Sequence, residues 1–354
     1  MRARDLGLAL AGLPGAHNAI TDVPGVEVGY TTLVAGDDVR TGVTAILPRP
    51  RPDLALPCAA GWHSLNGNGE MTGTAWISES GSAGLPIMIT NTHAVGSCHR
   101  GVVEWVTRER PAGAHEWLLP VVAETWDGYL NDITGDHVRP EHAVAAIDAA
   151  HPGPIAEGSV GGGTGMNCYG FKAGSGTASR LVSHGEDTYT VGAFVQANFG
   201  ARRELTITGR PVGPFLLDDD PFADAAPPPG AGSVIVVLAT DAPLLPGQCT
   251  ALARRVPLGL ARTGTTGSHF SGDIFLAFST ANAGALTSGF PEGAAVYESL
   301  RFVPWGWMDP FYRAVVEAVE EAVLNALVAG RTMTGRQGRR VPGLPLERVL
   351  GLLG

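Results

Sequence analysis

Charge is scarce in this chain of 354 residues: Asp, Glu, Lys and Arg together make up 16% of it. What charge there is leans acidic, with a formal net charge of −10, and the only concentration of basic residues is the short "GRQGRR" at 335–340. That patch reads as solvated surface, so a nucleic-acid backbone is not an expected partner. Cysteine is scarcer still. Cys58, Cys98, Cys168 and Cys249 share no metal-ligand spacing, and a chain of this length folds without disulfides, so they read as reduced thiols of a cytoplasmic protein. No run approaches the ~18 consecutive apolar residues of a membrane span, and no membrane partner is expected. The opening "MRARDLGLALAGLPGAH" sets two arginines ahead of Leu and Ala, but Asp5 interrupts a short apolar stretch. It reads as the start of the fold rather than as a secretory leader. Against these shortages stand 49 glycines, 26 prolines and 44% hydrophobic residues, the composition of a tightly packed, turn-rich, enzyme-like body.

Short strand-like runs bounded by Gly and Pro fill the first hundred residues, among them "GVEVGYTTLV", "GVTAILP" and "LPIMITNT". A helix is predicted from about Val95 through "GVVEWVTRER" (101–110), and a second over "PEHAVAAIDAAH" (140–151), with Pro140 in its first turn. A glycine-saturated block follows at 158–180, then a strand at 189–200. Residues 208–232 show neither helical nor strand periodicity and read as a linker. Beyond it come a strand, a helix at 247–262 with a kinking proline inside it, a strand at 274–279 and a long amphipathic helix at 309–330. The loose alternation fits a layered, mixed α/β sandwich, a single domain, better than a Rossmann sheet or a barrel.

Several candidate chemistries fail on their own residues. The glycine block is not a phosphate loop, because Phe171 stands where lysine is needed and Lys172 comes one place late. Its glycines read as close backbone approaches, with a backbone amide nest as the functional alternative. Cys168 in "MNCYG" has no histidine in a local pattern to serve as its base. His93, Cys98 and His99 lack a third or fourth ligand at a definable spacing, so no metal and no cofactor is expected. Ser233 is different. It follows "PPPGAG" and opens the apolar run "VIVVLA" (234–239), a strand predicted to be buried on both faces. If the chain were cut between Gly232 and Ser233, a hydroxyl and a free α-amine with an ordinary pKa of about 7.7–8.0 would belong to one residue, nucleophile and base together. From these residues alone, a plain junction of loop and strand remains the simpler reading.

Longer strings resolve the choice. "GSVIVVLATDAPLLPGQCTALARR" (232–255), "RTGTTGSHFSGDIFLAFST" (262–280), "NAITDVPGVEVGYT" (18–31), "ETWDGYLND" (124–132), "GGGTGMNCYGFKAGSGTASR" (161–180) and "VGAFVQANFG" (191–200) resemble, in order, the DmpA family of self-cleaving serine aminopeptidases, which includes the β-peptidyl aminopeptidases. The resemblance implies an αββα sandwich of the kind shared with ornithine acetyltransferases and layered like N-terminal nucleophile hydrolases. It also implies cleavage between Gly232 and Ser233 into an α chain (1–232) and a β chain (233–354), with 208–232 as the processing linker. By the same token, Ser233 is the nucleophile, Ser271 and Asp273 of "FSGD" assist it, Asn198 of "QANFG" supplies an oxyanion-hole amide, and Tyr129 of "DGYLND" is an active-site phenol. Some relatives carry Glu where this chain has Asp273. Glu124 is the weaker choice for pairing with the substrate's ammonium, on the ground that an aminopeptidase needs an anion there. The implied partners are a small peptide, amide or ester and, for the assembly, a homotetramer of αβ units. The alternative is acyl transfer on the same scaffold, which Ser233 in place of a threonine disfavours.

Overall fold

The computed structural model describes residues 1–111, 117–223, 230–290 and 293–354. Two sheets lie face to face. The first contains β1 (Glu27–Ala35) and β2 (Val39–Leu47); the chain then crosses to the second sheet for β3 (Cys58–Ser64) and returns for β4 (Ile87–Asn91) and β5 (Val122–Thr125), giving the order β1–β2–β4–β5. The second sheet joins β3 to β6 (Gly174–His184), β7 (Asp187–Gly200), β8 (Gly230–Thr240) and β9 (Gly272–Ser279), in the order β3–β9–β8–β7–β6, with the two-residue strand Ser82–Ala83 outside β3. These neighbours are antiparallel except for β4 with β5 and β8 with β9. A parallel pair needs a crossover. Helix α1 (Val95–Glu109) lies within the first, α2 (Pro140–Asp148) packs beside it, and α3 (Pro246–Ala253) and α4 (Val256–Ala261) lie within the second; α5 (Asp309–Ala329) completes the helical layers.

The layering follows from which faces are apolar. Val43, Ala45, Leu47, Met88 and Val122 pack outward against Val102, Trp105, Ala146 and Ile147 of α1 and α2. Ile46, Ile87, Ile89 and Ala123 face Phe194, Ile235, Val237 and Phe278 between the sheets. Val236, Leu238 and Phe275 meet Leu252, Leu260, Val315 and Val319 on the other side. The result is an αββα sandwich. Strand β8 sits inside its sheet with both faces covered, which is why residues 234–239 carry no alternating polar positions.

Two expectations are corrected. The helix at 247–262 is two helices, because Pro257 lacks the N–H needed to continue the first and stands instead in the opening turn of α4. The segment 208–232 is not featureless. Arg210–Pro211 pairs with Thr206–Ile207, Gly213–Phe215 forms a single turn, and β8 already begins at Gly230. The buried guanidinium of Arg202 pins this segment, donating to the carbonyls of Tyr169 (2.8 Å), Gly170 (2.6 Å) and Leu216 (2.9 Å) while lying 3.5 Å from the Phe171 ring centroid. A single distant arginine leaves no periodic trace in the segment it holds. Residues 224–229 of the expected linker lie outside the described residues.

The glycine block has a structural centre. Lys172, the chain's one lysine, is fully buried, and its Nζ donates to the carbonyls of Met166 (2.6 Å), Ala173 (2.9 Å) and Gly163 (3.4 Å). Burial pushes its ammonium down to about 7. The four cysteines are free and buried. Burial pushes the Cys98 thiol up to about 12 and raises Cys168 as well, which is the reverse of what a thiolate nucleophile requires.

Candidate active site

Ser233 stands where three strands of the second sheet meet. In register, it faces Asn198 of β7 on one side and Gly272 of β9 on the other. It is buried, and its Oγ accepts from the Gly272 N–H at 3.3 Å. Just ahead of it the pairing slips. Asn198 pairs with Ser233 but Gly200 pairs with Gly230, so β8 carries one residue more than β7 across this step. That is a β-bulge at Ala231–Gly232, immediately ahead of the Gly232–Ser233 bond, the kind of irregularity that re-aims backbone and side chain beside reactive sites. Gly232 is obligatory here, since a Cβ on it would overlap the carbonyl oxygen of Asn198.

The serine–acid pair comes from the start of β9. Ser271 Oγ donates to Asp273 Oδ1 at 2.5 Å, and both residues are buried. Asp273 lies in register with Val234, on the face of β9 that continues into Phe275 and the helical side. Ser233 lies on the face that continues into Ile235 and the space between the sheets. The carboxylate therefore lies beside the Val234 backbone of β8, while the hydroxyl and Asn198 occupy the opposite face. Burial raises the Asp273 pKa, opposed by hydrogen bonds from Ser271, Asn66 and the Val234 backbone. Asn66 was not visible in the sequence as a site residue. "SLNGNG" (64–69) reads as a turn, and nothing local separates an asparagine that shapes a turn from one that grips a carboxylate.

Asn198 is held at both ends of its amide. Oδ1 accepts from the Asn167 N–H at 3.0 Å, and Nδ2 donates to the Trp126 carbonyl at 3.0 Å. Trp126 is the one hydrogen-bond acceptor of Nδ2 among the described residues, so its second hydrogen is available to a substrate. Fixed donors of this kind stabilise developing negative charge without reorganising.

Glu124, at the end of β5, is buried. Its Oε1 accepts from the Glu70 N–H at 2.9 Å and its Oε2 from the Thr92 hydroxyl. Burial raises its pKa, with those two bonds and His93 acting in the opposite direction. Gly69 links it to the serine's neighbourhood, because a Cβ on Gly69 would lie 2.8 Å from Gly272 Cα and 3.3 Å from Glu124 Oε1. Thr92 is the second site residue that sequence reasoning missed. Beside it opens a cavity of about 250 Å³ lined in part by Asn91, His93, Thr134 and His137. Tyr129 stands apart. Its hydroxyl donates to the Pro221 carbonyl at 3.5 Å, its ring lies 4.6 Å from that of Phe222, and no hydrogen bond among the described residues joins it to Ser233.

Residues 18–341 match peptidase family S58. The chain belongs to peptidase family S58. It is 49% identical, over 99% of its own length and 91% of the relative's, to the β-peptidyl aminopeptidase BapA of Sphingosinicella microcystinivorans. Its structure superposes on that of a β-aminopeptidase from a Burkholderia species with a TM-score of 0.92 at 48% identity, covering 100% of this chain and 98% of the other. It also superposes on the L-aminopeptidase D-Ala-esterase/amidase of Ochrobactrum anthropi with a TM-score of 0.93 at 45% identity, covering 99% and 98%. The latter is described as a prototype serine aminopeptidase and a variant of the Ntn hydrolase fold. This S58 chain is accordingly a serine-type aminopeptidase with that fold, and these relatives lend nothing to the acyl-transfer alternative.

Proposed function

We propose that this S58 peptidase cleaves itself between Gly232 and Ser233, and that the α-amine and hydroxyl so brought together on Ser233 carry out the aminopeptidase reaction. One observation carries the reading. Ser233 occupies the first position after a bulge, with an amide donor opposite it and a serine–carboxylate pair beside Val234, the next residue of its strand. In self-cleavage, the Ser233 hydroxyl attacks the Gly232 carbonyl, the acyl group moves from nitrogen to oxygen, and water hydrolyses the ester. In turnover, Oγ attacks the substrate carbonyl and its proton passes to the Ser233 amine, assisted by Ser271 and Asp273. Asn198 Nδ2 stabilises the oxyanion, the leaving amine takes the proton, and water then releases the acid. Removing the Ser233 hydroxyl tests both steps at once.

Glu124 is assigned to the substrate's ammonium, and Tyr129 to donating from its phenol to the substrate or intermediate. The preferred substrates are short peptides, amides and esters with a free amine, including β-aminoacyl compounds. Their amine must be protonated and Glu124 ionised. Because burial raises the Glu124 pKa, kcat/KM is expected to fall on acidification from a pH above the ordinary carboxylate range. Replacing Glu124 by Gln removes the charge with little change of shape. It is expected to raise KM for aminoacyl p-nitroanilides by about 10- to 100-fold, as for a lost bond to a charged group, while kcat changes far less; steady-state kinetics on the β-Ala and L-Ala p-nitroanilides measures this. The exposed Phe290, Tyr297, Trp305 and Trp307 provide apolar surface for a cytoplasmic homotetramer of αβ units.

A further inference from the structure

Beyond the groups already assigned, we propose that Asn66 is the positioning residue of the Ser271–Asp273 pair. The proposal rests on Ser233 being the nucleophile. Asn66 follows β3, and its amide is fully engaged. Nδ2 donates to Asp273 Oδ2 at 2.9 Å and to the Ser268 carbonyl at 3.0 Å, while Oδ1 accepts from the Asp273 N–H at 2.6 Å. One side chain thus clasps the carboxylate and the backbone of the same residue. Of the two Asp273 oxygens, Oδ1 is turned to Ser271 and Oδ2 to Asn66, so the carboxylate cannot rotate without breaking a bond. The loop carrying Asn66 is itself fastened to the same stretch: Leu65 N–H donates to the Asp273 carbonyl (2.9 Å), Asn68 N–H to the Ser271 carbonyl (3.3 Å) and Asn68 Nδ2 to the Phe270 carbonyl (2.9 Å).

The electrostatic consequence follows from the surroundings. Among the described residues no positive charge offsets the burial of Asp273; what favours its ionised form is the set of hydrogen bonds from Ser271, Asn66 and the Val234 backbone. Among the described residues, the titratable groups on the elements around it are His63 of β3, whose ring lies 6.4 Å from that of Phe275, His269 ahead of β9, Glu70 on the Asn66 loop, and Glu124, which reaches that loop through Gly69 and the Glu70 N–H; processing would add the Ser233 amine. The Ser271 hydroxyl can give its proton to Asp273 only while Asp273 is ionised and in place. Withdrawing Asn66 removes one of those donors and, among the described residues, the one side chain that fixes Oδ2. The aspartate is thereby left protonated at a higher pH and free to turn away from Ser271.

The test uses the processed, full-length protein, with kcat and KM for the β-Ala p-nitroanilide measured from pH 5 to 9 and the extent of processing read by denaturing mass spectrometry. Asn66→Ala is expected to lower kcat about 10- to 100-fold at pH 7, the size of a bond to a charged group. KM should stay within about threefold, and the acidic limb should move up by roughly one pH unit, so that the deficit narrows at pH 9. Asn66→Asp preserves shape and packing but sets a second carboxylate against Asp273; its acidic limb should move further, and it keeps the test open if the alanine variant fails to fold. Acidic limbs coincident with wild type in both variants, whether kcat is unchanged or uniformly reduced, would overturn the proposal by leaving Asn66 only a structural role. Ser233→Ala serves as the reference. Were it processed and active, the nucleophile assignment itself would fail; were it inert while the Asn66 variants matched wild type, Asn66 alone would be wrong.

Discussion

Ser233→Ala is expected to accumulate as a single uncut polypeptide with no measurable turnover of aminoacyl p-nitroanilides. Both losses have one cause. The hydroxyl that would take the acyl group from the Gly232 carbonyl is the same atom that would take it from substrate, and no neighbouring group can stand in. Ser271, the other serine assigned to the site, is buried and donates to Asp273. The substitution removes one oxygen from a buried position whose strand is held by backbone pairing to Asn198 and Gly272, so the fold should persist. Gel electrophoresis and a p-nitroaniline assay on the same preparation measure the two effects. A variant that is cleaved but inactive would separate processing from catalysis.

Asn198→Ala carries the second-largest expected effect. A fixed amide donor to an oxyanion contributes ~2.7–4 kcal/mol to barrier lowering, or about 10²- to 10³-fold in kcat. In this chain the amide is fixed by the Asn167 N–H and the Trp126 carbonyl, both of which it satisfies. The loss should fall on kcat, with KM nearly unchanged, since the oxyanion exists only after attack. Self-cleavage should slow too, because the Gly232 carbonyl is attacked beside the same residue. Pre-steady-state acylation rates read the first effect, and a time course of processing after synthesis reads the second. Loss confined to KM would mean that Asn198 binds substrate rather than the intermediate.

A layered, mixed α/β sandwich was legible because its signals are local; the αββα order came from resemblance. The unbroken run at Val234–Ala239 marks a strand covered on both faces, and the 3.6-residue stripe of Asp309–Ala329 marks a helix packed along a sheet. Ser233, Ser271, Asp273 and Asn198 came from resemblance. Without the resemblance, Ser233 reads as a loop-to-strand junction and Asn198 as a turn residue. The structure adds why they belong together: the register places Asn198 opposite Ser233 and Asp273 beside Val234. What stayed hidden was long-range. Asn66 lies 207 residues from Asp273, and Arg202 pins a segment that shows no pattern of its own. Thr92, at the end of a strand-like run, and Gly69, in a turn, show no tie to Glu124 until the sheets are assembled.

The scarcity of lysine supplies the most direct measurement. Residues 233–354 contain no lysine, and the chain's one lysine is Lys172. Wild-type protein is denatured, its amines are exhaustively dimethylated, and its fragments are weighed and sequenced. A fragment that runs from Ser233 to Gly354 and carries one dimethylated amine, at Ser233, is the predicted result. A fully active enzyme recovered as one unbroken chain, labelled only at its own N-terminus and at Lys172, would contradict it.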